Sequence, residues 1–448
     1  MNNPLKNLFH HRCASNDFLL GNTETVPAPD QPTDRQPHLP KALAREFPDL
    51  LAGPAFIQRA LANLETVAAF QAFTVQIDPC GEPNADPNEN PTASLQIEVA
   101  GKLNQFCENR AWQWGKLTRD IFGCFLPLGV SAEPNGRGAA LQKALDELQP
   151  ATFSIGCARF PQIDFKREEI LDNARKALDH AAFFGPGSVV DFDAVSLNIS
   201  GDRYYQKGDI NAAMAEFNRA LALDPENVNV HNSLGVCYGV LGAYEKAAKI
   251  FQTATELAPG EMLPVYNVGL ANLMIGDKEA ALQSFLTATE KDPDVFEPAF
   301  QVGRVHIENG KPKKARTFLE KAAGLNPDNP TAHRYLGLCY LDLKNDAAAI
   351  GAFKKAVQLN PNDAQALSAL GYLLDRMGEN IDITTLFCTQ SVEIEPDNGL
   401  FRYRLGQLLT KKGALEEALR EFEAARQLGH DTGKMIETVK DRIAIEIN

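Results

Sequence analysis

Several features are scarce or missing in these 448 residues. No run of about 18 apolar residues occurs, so no membrane-spanning helix is expected. The opening stretch, MNNPLKNLFHHRCASNDFLLG, lacks a long apolar core followed by a small-residue cleavage site, and the chain is expected to stay in the cytoplasm. Basic residues are in deficit: 44 Lys and Arg against 58 Asp and Glu leave a formal charge of −14. That balance excludes a nucleic-acid partner held by phosphate neutralisation and docking on an anionic membrane surface. Divided at residue 193, the two parts carry −7 each, so averaging hides no basic face. Cysteine pairs at metal or redox spacing are also absent. The eight cysteines are scattered, which reads as reduced, buried thiols rather than a disulfide frame or a zinc site. His10, His11 and Cys13 are a candidate metal cluster, against the plainer reading of a mobile tail.

What the chain has in abundance is periodicity. Gly201, Gly235, Gly269, Gly303, Gly337 and Gly371 stand 34 residues apart, as do Pro225, Pro259, Pro293, Pro327 and Pro361. Gly406 and Pro396 continue both series with a step of 35, which marks one inserted residue in the sixth repeat. Ala213, Ala247, Ala281, Ala315 and Ala349 hold a further phase. Phe217, Phe251, Phe285, Leu319 and Phe353 hold another, and Ala220, Ala254, Ala288, Ala322 and Ala356 one more. Each repeat reads as two helices joined at Gly208, Gly242, Gly276, Gly310 or Gly378, with Lys344 in that place in the fifth. Small residues let the paired helices approach, the aromatic fills the space between them, and proline ends the second helix. One such pair cannot bury its apolar face alone, so neighbours must stack.

This pattern resembles the tetratricopeptide repeat family over about residues 194–430, seven units in all. Met435, Val439 and Ile443 then recur every four residues, which predicts a final helix covering the last unit. In the sixth unit Thr384, Cys388 and Ser391 take the alanine, phenylalanine and alanine places, as a kinked joint or as an insertion absorbed near Asn380. The resemblance implies a concave surface lined by the first helix of each pair, suited to an extended peptide or a partner helix. Its fifth and ninth positions offer Tyr266, Phe300, Arg304, Arg334, Tyr372 and Tyr403, and Tyr and Arg are hot-spot residue types. Packing between repeats is the alternative role for each. A subclass of the family grips a C-terminal carboxylate with a Lys, Asn, Asn, Lys, Arg set. The corresponding residues from the first unit are Asn198, Asp202, Ser233, Leu263 and Asn267, none of them basic. Arg304 and Arg334 remain as candidates for an acidic partner segment.

Before residue 194 the character differs. Residues 1–40 read as a leader, Pro-, Thr- and Asp-rich over 22–40. From 41 to 193 helices and strands alternate: helices at 41–51 and 55–68, a strand at Phe70–Ile77, a helix near 93–109, strands at Ala111–Leu117 and Ile121–Leu126, a helix at 138–149, a strand at Thr152–Ala158, a helix at 167–184 and a strand near Ser188–Phe192. An α/β sheet domain is expected. Its phrases are similar to the diguanylate cyclase (GGDEF) family, whose core is a ferredoxin-like palm. DLLAGPAFIQR (Asp49–Arg59) is similar to DxLTGLxNR, TFSIGCA (Thr152–Ala158) to TxSIGxA, and ARKALDHAAFFGPG (Ala174–Gly187) to ADxALYxAKxxGRN. The resemblance puts Asp78 at the family's first metal-binding aspartate and the signature pentapeptide at Thr118, Arg119, Asp120, Ile121 and Phe122.

The chemistry of that family is missing from those positions. Thr118 and Arg119 replace two glycines, Ile121 replaces an acid, and an apolar side chain cannot ligate a hard cation. Two divalent ions and a triphosphate need concentrated oxygen ligands, and Asp78 and Asp120 alone remain. The upstream inhibitory RxxD would fall on Asn109 and Trp112 and is gone. The chain is therefore expected to be a multidomain, non-enzymatic adaptor without cofactors. Residues 41–193 would be an inactive module for docking or for homodimerisation, 194–430 the repeats, and 431–448 a capping helix. Binding of GTP or cyclic di-GMP without turnover is the alternative.

Overall fold

The computed structural model of the chain describes residues 39–78, 93–108, 113–128 and 136–447. The leader to residue 38 with His10, His11 and Cys13, the loop at 79–92, and Asn109 and Trp112 lie outside the described residues. The chain forms two compact units that meet in sequence at Pro259 and Gly260.

In the first unit, α1 (Lys41–Glu46) and α2 (Gly53–Leu64) lead into β1 (Phe70–Ile77), α3 (Ala93–Glu108), β2 (Gln113–Lys116), β3 (Ile121–Pro127), α4 (Arg137–Leu145), β4 (Phe153–Phe160), α5 (Ile170–Ala181) and β5 (Val189–Asp191). The strands form one mixed sheet in the order β2-β3-β1-β4-β5, antiparallel except for the β4–β5 pair. Side chains of a strand alternate between faces, and β1 shows the consequence. Phe73, Val75 and Ile77 join the cluster under α1, α3 and α4, whereas Phe70 and Ala72 join the one under α2 and α5. Thr74 keeps the polar position on the second face by donating its hydroxyl to the Ala174 carbonyl at 2.9 Å. Gly156 on β4 allows α5 to settle against the sheet, since a Cβ there would lie 2.0 Å from the Ala174 oxygen.

Helices α6 (Ala194–Gln206), α7 (Ile210–Leu223), α8 (Val228–Val240) and α9 (Tyr244–Leu257) complete this unit. The sequence boundary at 193 marks a change from sheet to helix pairs and no break in packing. The α2/α5 cluster continues through Phe192 and Leu197 to Phe217, Val230 and Cys237. Lys176 of α5 donates to Glu216 of α7 at 2.9 Å, and Arg219 pairs with Glu169 at 2.9 Å.

The second unit contains α10 (Met262–Ile275), α11 (Lys278–Lys291), α12 (Phe296–Glu308), α13 (Pro312–Leu325), α14 (Pro330–Asp342), α15 (Asp346–Leu359), α16 (Ala364–Arg376), α17 (Ile381–Ile394), α18 (Gly399–Lys412), α19 (Leu415–Gln427) and α20 (Gly433–Ile447). They pair α10 with α11 through α18 with α19, and α20 lies on α19 with Ile436 and Val439 buried. Polar caps begin many of them: Asp277, Asn329, Asn345, Asp363 and Asn380 each accept a backbone N–H of the first turn. In the sixth pair α17 is unbroken, and the inserted residue is absorbed in the turn that Asn380 caps. Cys388 replaces the usual aromatic there, and a Cβ on Gly371 would meet its sulfur at 2.7 Å. Among the described residues no helix is long and apolar enough to cross a membrane.

The turn inside each pair takes a left-handed residue, with φ of 65° to 99° at Gly276, Gly310, Gly378 and Gly413. Lys344 adopts φ 60° in the same place. A side chain costs roughly 1–2 kcal/mol in this region, part of which a freer unfolded glycine chain takes back. Lys344→Gly is therefore expected to raise the stability of this unit by about 1 kcal/mol in urea unfolding, and Lys344→Ala to give no gain.

Candidate functional site

Within the second unit, the first helices of successive pairs touch one another: α12 with α14, α14 with α16, and α16 with α18. Second helices of successive pairs have no comparable contacts, so the first helices form the inner, concave side of this stack. That surface brings five of the six sequence-predicted residues onto neighbouring helices α12 to α18, with Tyr266 on α10.

Their exposure divides them. Phe300, Tyr372 and Tyr403 are half-buried and present aromatic surface. Phe300 stacks on Phe296 at 5.4 Å and meets Tyr335 edge-on at 5.5 Å. Tyr403 lies 4.6 Å from the His430 ring, and its hydroxyl accepts from Gln407 Nε2 at 3.0 Å. Burial holds His430 below the usual imidazole range, and Arg404 adds to the effect. Tyr266, by contrast, is only 2% exposed; its ring packs 5.5 Å from Phe285 and its hydroxyl accepts from Gln301 Nε2 at 3.5 Å. The reading of Tyr266 as groove surface therefore needs correcting: its ring is buried against Phe285 of α11 and its hydroxyl against Gln301 of α12.

The two predicted arginines are likewise inside. Arg304 has Nε 3.9 Å from Glu308 Oε1, and Glu308 also receives Lys278 Nζ at 2.8 Å. Arg334 has Nε 3.0 Å from Asp363 Oδ2, donates Nη1 to Gln365, and lies over the Tyr335 ring at 5.2 Å. Both guanidiniums are paired with carboxylates of this chain. Arg404, one residue beyond Tyr403, was missed by counting positions two, five and nine. It is 9% exposed, donates Nη1 to Ser368 Oγ at 3.0 Å, and packs 4.9 Å from the Tyr372 ring.

In the first unit, the pentapeptide positions cluster at one end of the sheet. Thr118, Arg119 and Asp120 form the turn between β2 and β3, and the Asp120 carbonyl accepts from Ile77 N–H at 3.0 Å, beside Asp78. The acids serve local structure. Asp78 Oδ2 accepts the Gly187 N–H at 2.8 Å, and Asp120 Oδ1 accepts from Thr118 at 3.0 Å. Arg119 is exposed, and Ile121 starts β3 half-buried. Lys116 holds the turn from inside: Nζ donates to the Arg119 carbonyl at 2.8 Å and to Gln96 at 2.9 Å, over the Phe122 ring. Burial brings its amine down to about 8, with Asp120 opposing. Among the described residues no three His, Cys, Asp or Glu side chains gather as a metal site.

Models of the tetratricopeptide repeat match residues 201–242, 228–261 and 301–376. These segments carry tetratricopeptide repeats. Stress-induced-phosphoprotein 1 of Caenorhabditis elegans is 28% identical over 156 residues, 34% of this chain and 45% of that protein. The chain thus spans less than half the length of this relative. Among solved structures, the Pseudomonas aeruginosa protein PilF is 19% identical with a TM-score of 0.43, over 47% of this chain and 95% of that one. YrrB, a repeat protein with an unusual peptide-binding site, is 19% identical with a TM-score of 0.38, over 41% and 95%. MamA is 26% identical with a TM-score of 0.35, over 38% and 94%.

Asp202 on α6, at the groove phase of the first repeat, is 6% exposed and accepts from Asn198 at 3.3 Å and Ser233 at 3.5 Å. Burial pushes its carboxyl up to about 7. The folded protein therefore holds a proton there between about pH 4 and 7 that the unfolded chain releases. This contribution to stability is full below pH 4 and is lost as pH rises to 7, on the order of 4 kcal/mol. Asp202→Asn is expected to flatten urea stability over that window and, at pH 8, to exceed wild type by on the order of 2–4 kcal/mol.

Proposed function

We propose that the chain is a non-enzymatic scaffold that binds protein or peptide segments along the first helices of its tetratricopeptide repeats. The observation that carries this reading is the row of half-buried aromatics, Phe300, Tyr372 and Tyr403, on first helices that line the inner side of α10–α19. Such rings offer large contact area at little cost in side-chain entropy. The alanine variant Phe300→Ala/Tyr372→Ala/Tyr403→Ala is expected to keep its helical circular dichroism and lose the proteins that co-purify with wild type. Each substitution should weaken a purified partner by about tenfold. An unchanged partner set with intact helicity removes the groove assignment.

For residues 41–193 we propose an inactive module related to diguanylate cyclases, used for docking or for association of two copies. Support comes from the strand order β2-β3-β1-β4 around two crossover helices, and from the β2–β3 turn that carries the pentapeptide positions. Loss of chemistry is supported by Ile121 at an acidic position and by Asp78 being engaged with the Gly187 N–H. Calorimetric titration of the full chain with GTP or cyclic di-GMP is expected to give no heat. Binding tighter than about 10 μM replaces this reading with that of a nucleotide receptor.

A further inference from the structure

Within the first unit α6 touches α8, whereas α7 and α9 share no comparable contact, so α6 and α8 form the inner side of these two pairs. Asn198 and Asp202 of α6 stand at the repeat phases that Arg334 and Arg304 hold later in the chain. There the chain supplies its own counter-charges, Asp363 for Arg334 and Glu308 for Arg304. At Asp202 it supplies none. The carboxyl group is 6% exposed, and among the described residues no Lys, Arg or His pairs with it. Its hydrogen bonds come from neutral groups: Asn198 Nδ2 donates to Oδ2 at 3.3 Å, and Ser233 Oγ of α8 to Oδ1 at 3.5 Å. Cys237 of α8 brings no positive charge, since burial and the Asp202 carboxyl push its thiol up to about 12. The same asparagine leaves a second acceptor beside the acid. Asn198 Oδ1 is buried, and among the described residues nothing donates to it. An ionised carboxylate is acceptor-only, with about four lone-pair sites. The site therefore has acceptors in surplus and donors in deficit. Removing such a charge from water is costly until a proton or a cation meets it.

We propose that Asp202, with Asn198 and Ser233, is a binding site for an ammonium group of a partner segment. This site rests on the reading that partner segments run along the first helices, and it gives the first two repeats a ligand chemistry of their own. An ammonium is a compact charge with three N–H donors and no acceptor. It answers both the uncompensated carboxylate and the spare Asn198 oxygen, and it takes the place of the proton that the acid otherwise keeps. A guanidinium is a planar fork that prefers a carboxylate with both oxygens open. Here each Asp202 oxygen already accepts a bond.

The test uses the full-length protein at pH 8, above the value of about 7 to which burial raises this carboxyl. Aspartate is isotopically labelled at its side-chain carboxyl carbon, and the Asp202 resonance is assigned by its loss in Asp202→Asn. Peptides with at most one charge limit general attraction to a chain of net charge −14. Acetyl-Gly-Lys-Gly amide carries a side-chain ammonium and Gly-Gly-Gly amide a terminal one. Acetyl-Gly-Arg-Gly amide carries a guanidinium, and acetyl-Gly-Gln-Gly amide no charge. A saturable shift of Asp202 with an ammonium peptide and none with the glutamine peptide is expected. The responding peptide tells whether the site takes a lysine side chain or a chain start. In ligand-observed titrations Asp202→Asn should bind that peptide at least about tenfold more weakly. No saturable shift with either ammonium peptide at millimolar concentration overturns the proposal, as does a stronger response to the arginine peptide. A folded Asp202→Asn that binds as well as wild type overturns it too. If circular dichroism shows Asp202→Asn unfolded, the resonance is assigned with Asp202→Glu and the wild-type titration decides. A silent Asp202 with partner loss still seen in the aromatic triple variant removes the ammonium site alone and leaves the scaffold reading standing.

Discussion

The seat of an aromatic ring against a missing side chain sets most of this structure. At Gly201, Gly235, Gly269, Gly337 and Gly406 a Cβ would come within 2.4–2.8 Å of the ring of Phe217, Phe251, Phe285, Phe353 or Phe422. At Gly303 the same space is taken by Leu319, at 2.6 Å. The ring therefore reaches the backbone of the first helix, and the two helices of a pair close to the distance that glycine permits. Burying each ring contributes roughly 1.5–3 kcal/mol, the largest single apolar gain in a unit of two short helices. The alanines around it, such as Ala281, Ala288, Ala349 and Ala356, are fully buried because nothing larger fits at that separation.

Close helices have an electrostatic consequence. Side chains on the inner face, which a looser bundle would leave in water, are flanked by the next first helix and lose much of their hydration. Charges there must find partners, and the chain supplies them for Arg304 and Arg334. Asp202 answers the same pressure differently, by keeping its proton to higher pH. Arginine has no such route, which separates Arg404 from the other buried ionisable groups of the inner face.

How far the sequence could be read follows from the range of the interactions involved. The glycine, aromatic and alanine phases are local and repeated, so the helix pairs and their turns are legible, even to Lys344 standing in a glycine's place with φ 60°. The sheet elements were legible to within a few residues, because β1 and β4 are strands of eight residues each in which aromatic and branched apolar side chains recur. Depth was not legible. Periodicity assigns a residue to a face, whereas Tyr266 is closed in by Phe285 of its own pair and Gln301 of the next while Phe300 is half-buried, a difference that depends on which residues stand one repeat away. Arg404 escaped for a related reason. Its phase is occupied by Asn267, Gln301, Tyr335 and Ala369 in preceding repeats, with no common chemistry to notice. The apolar cluster running past residue 193 was equally invisible, since it joins residues more than a hundred positions apart.

That cluster gives the sheet domain a physical task that needs no catalysis. A repeat stack leaves the apolar face of its terminal pair uncovered, and ends of such stacks require a cap. In the first unit α5 packs on α6, and Phe165, Ile170, Ala174 and Ala177 share one apolar cluster with Leu197, Ala213 and Phe217. Salt bridges from Lys176 to Glu216 and from Glu169 to Arg219 fix the orientation at the edge of that contact. Helix α5 thus covers the first pair as a preceding repeat would. The face of the sheet opposite α5 is closed by α1, α3 and α4, and the β2–β3 turn lies at the end of the strands, away from the α5 contact. Thr118, Arg119 and Asp120 of that turn take no part in the shared apolar cluster, and Ile121 packs against it as an apolar side chain, so the cover that α5 gives the first pair asks nothing of the polar residues in the turn.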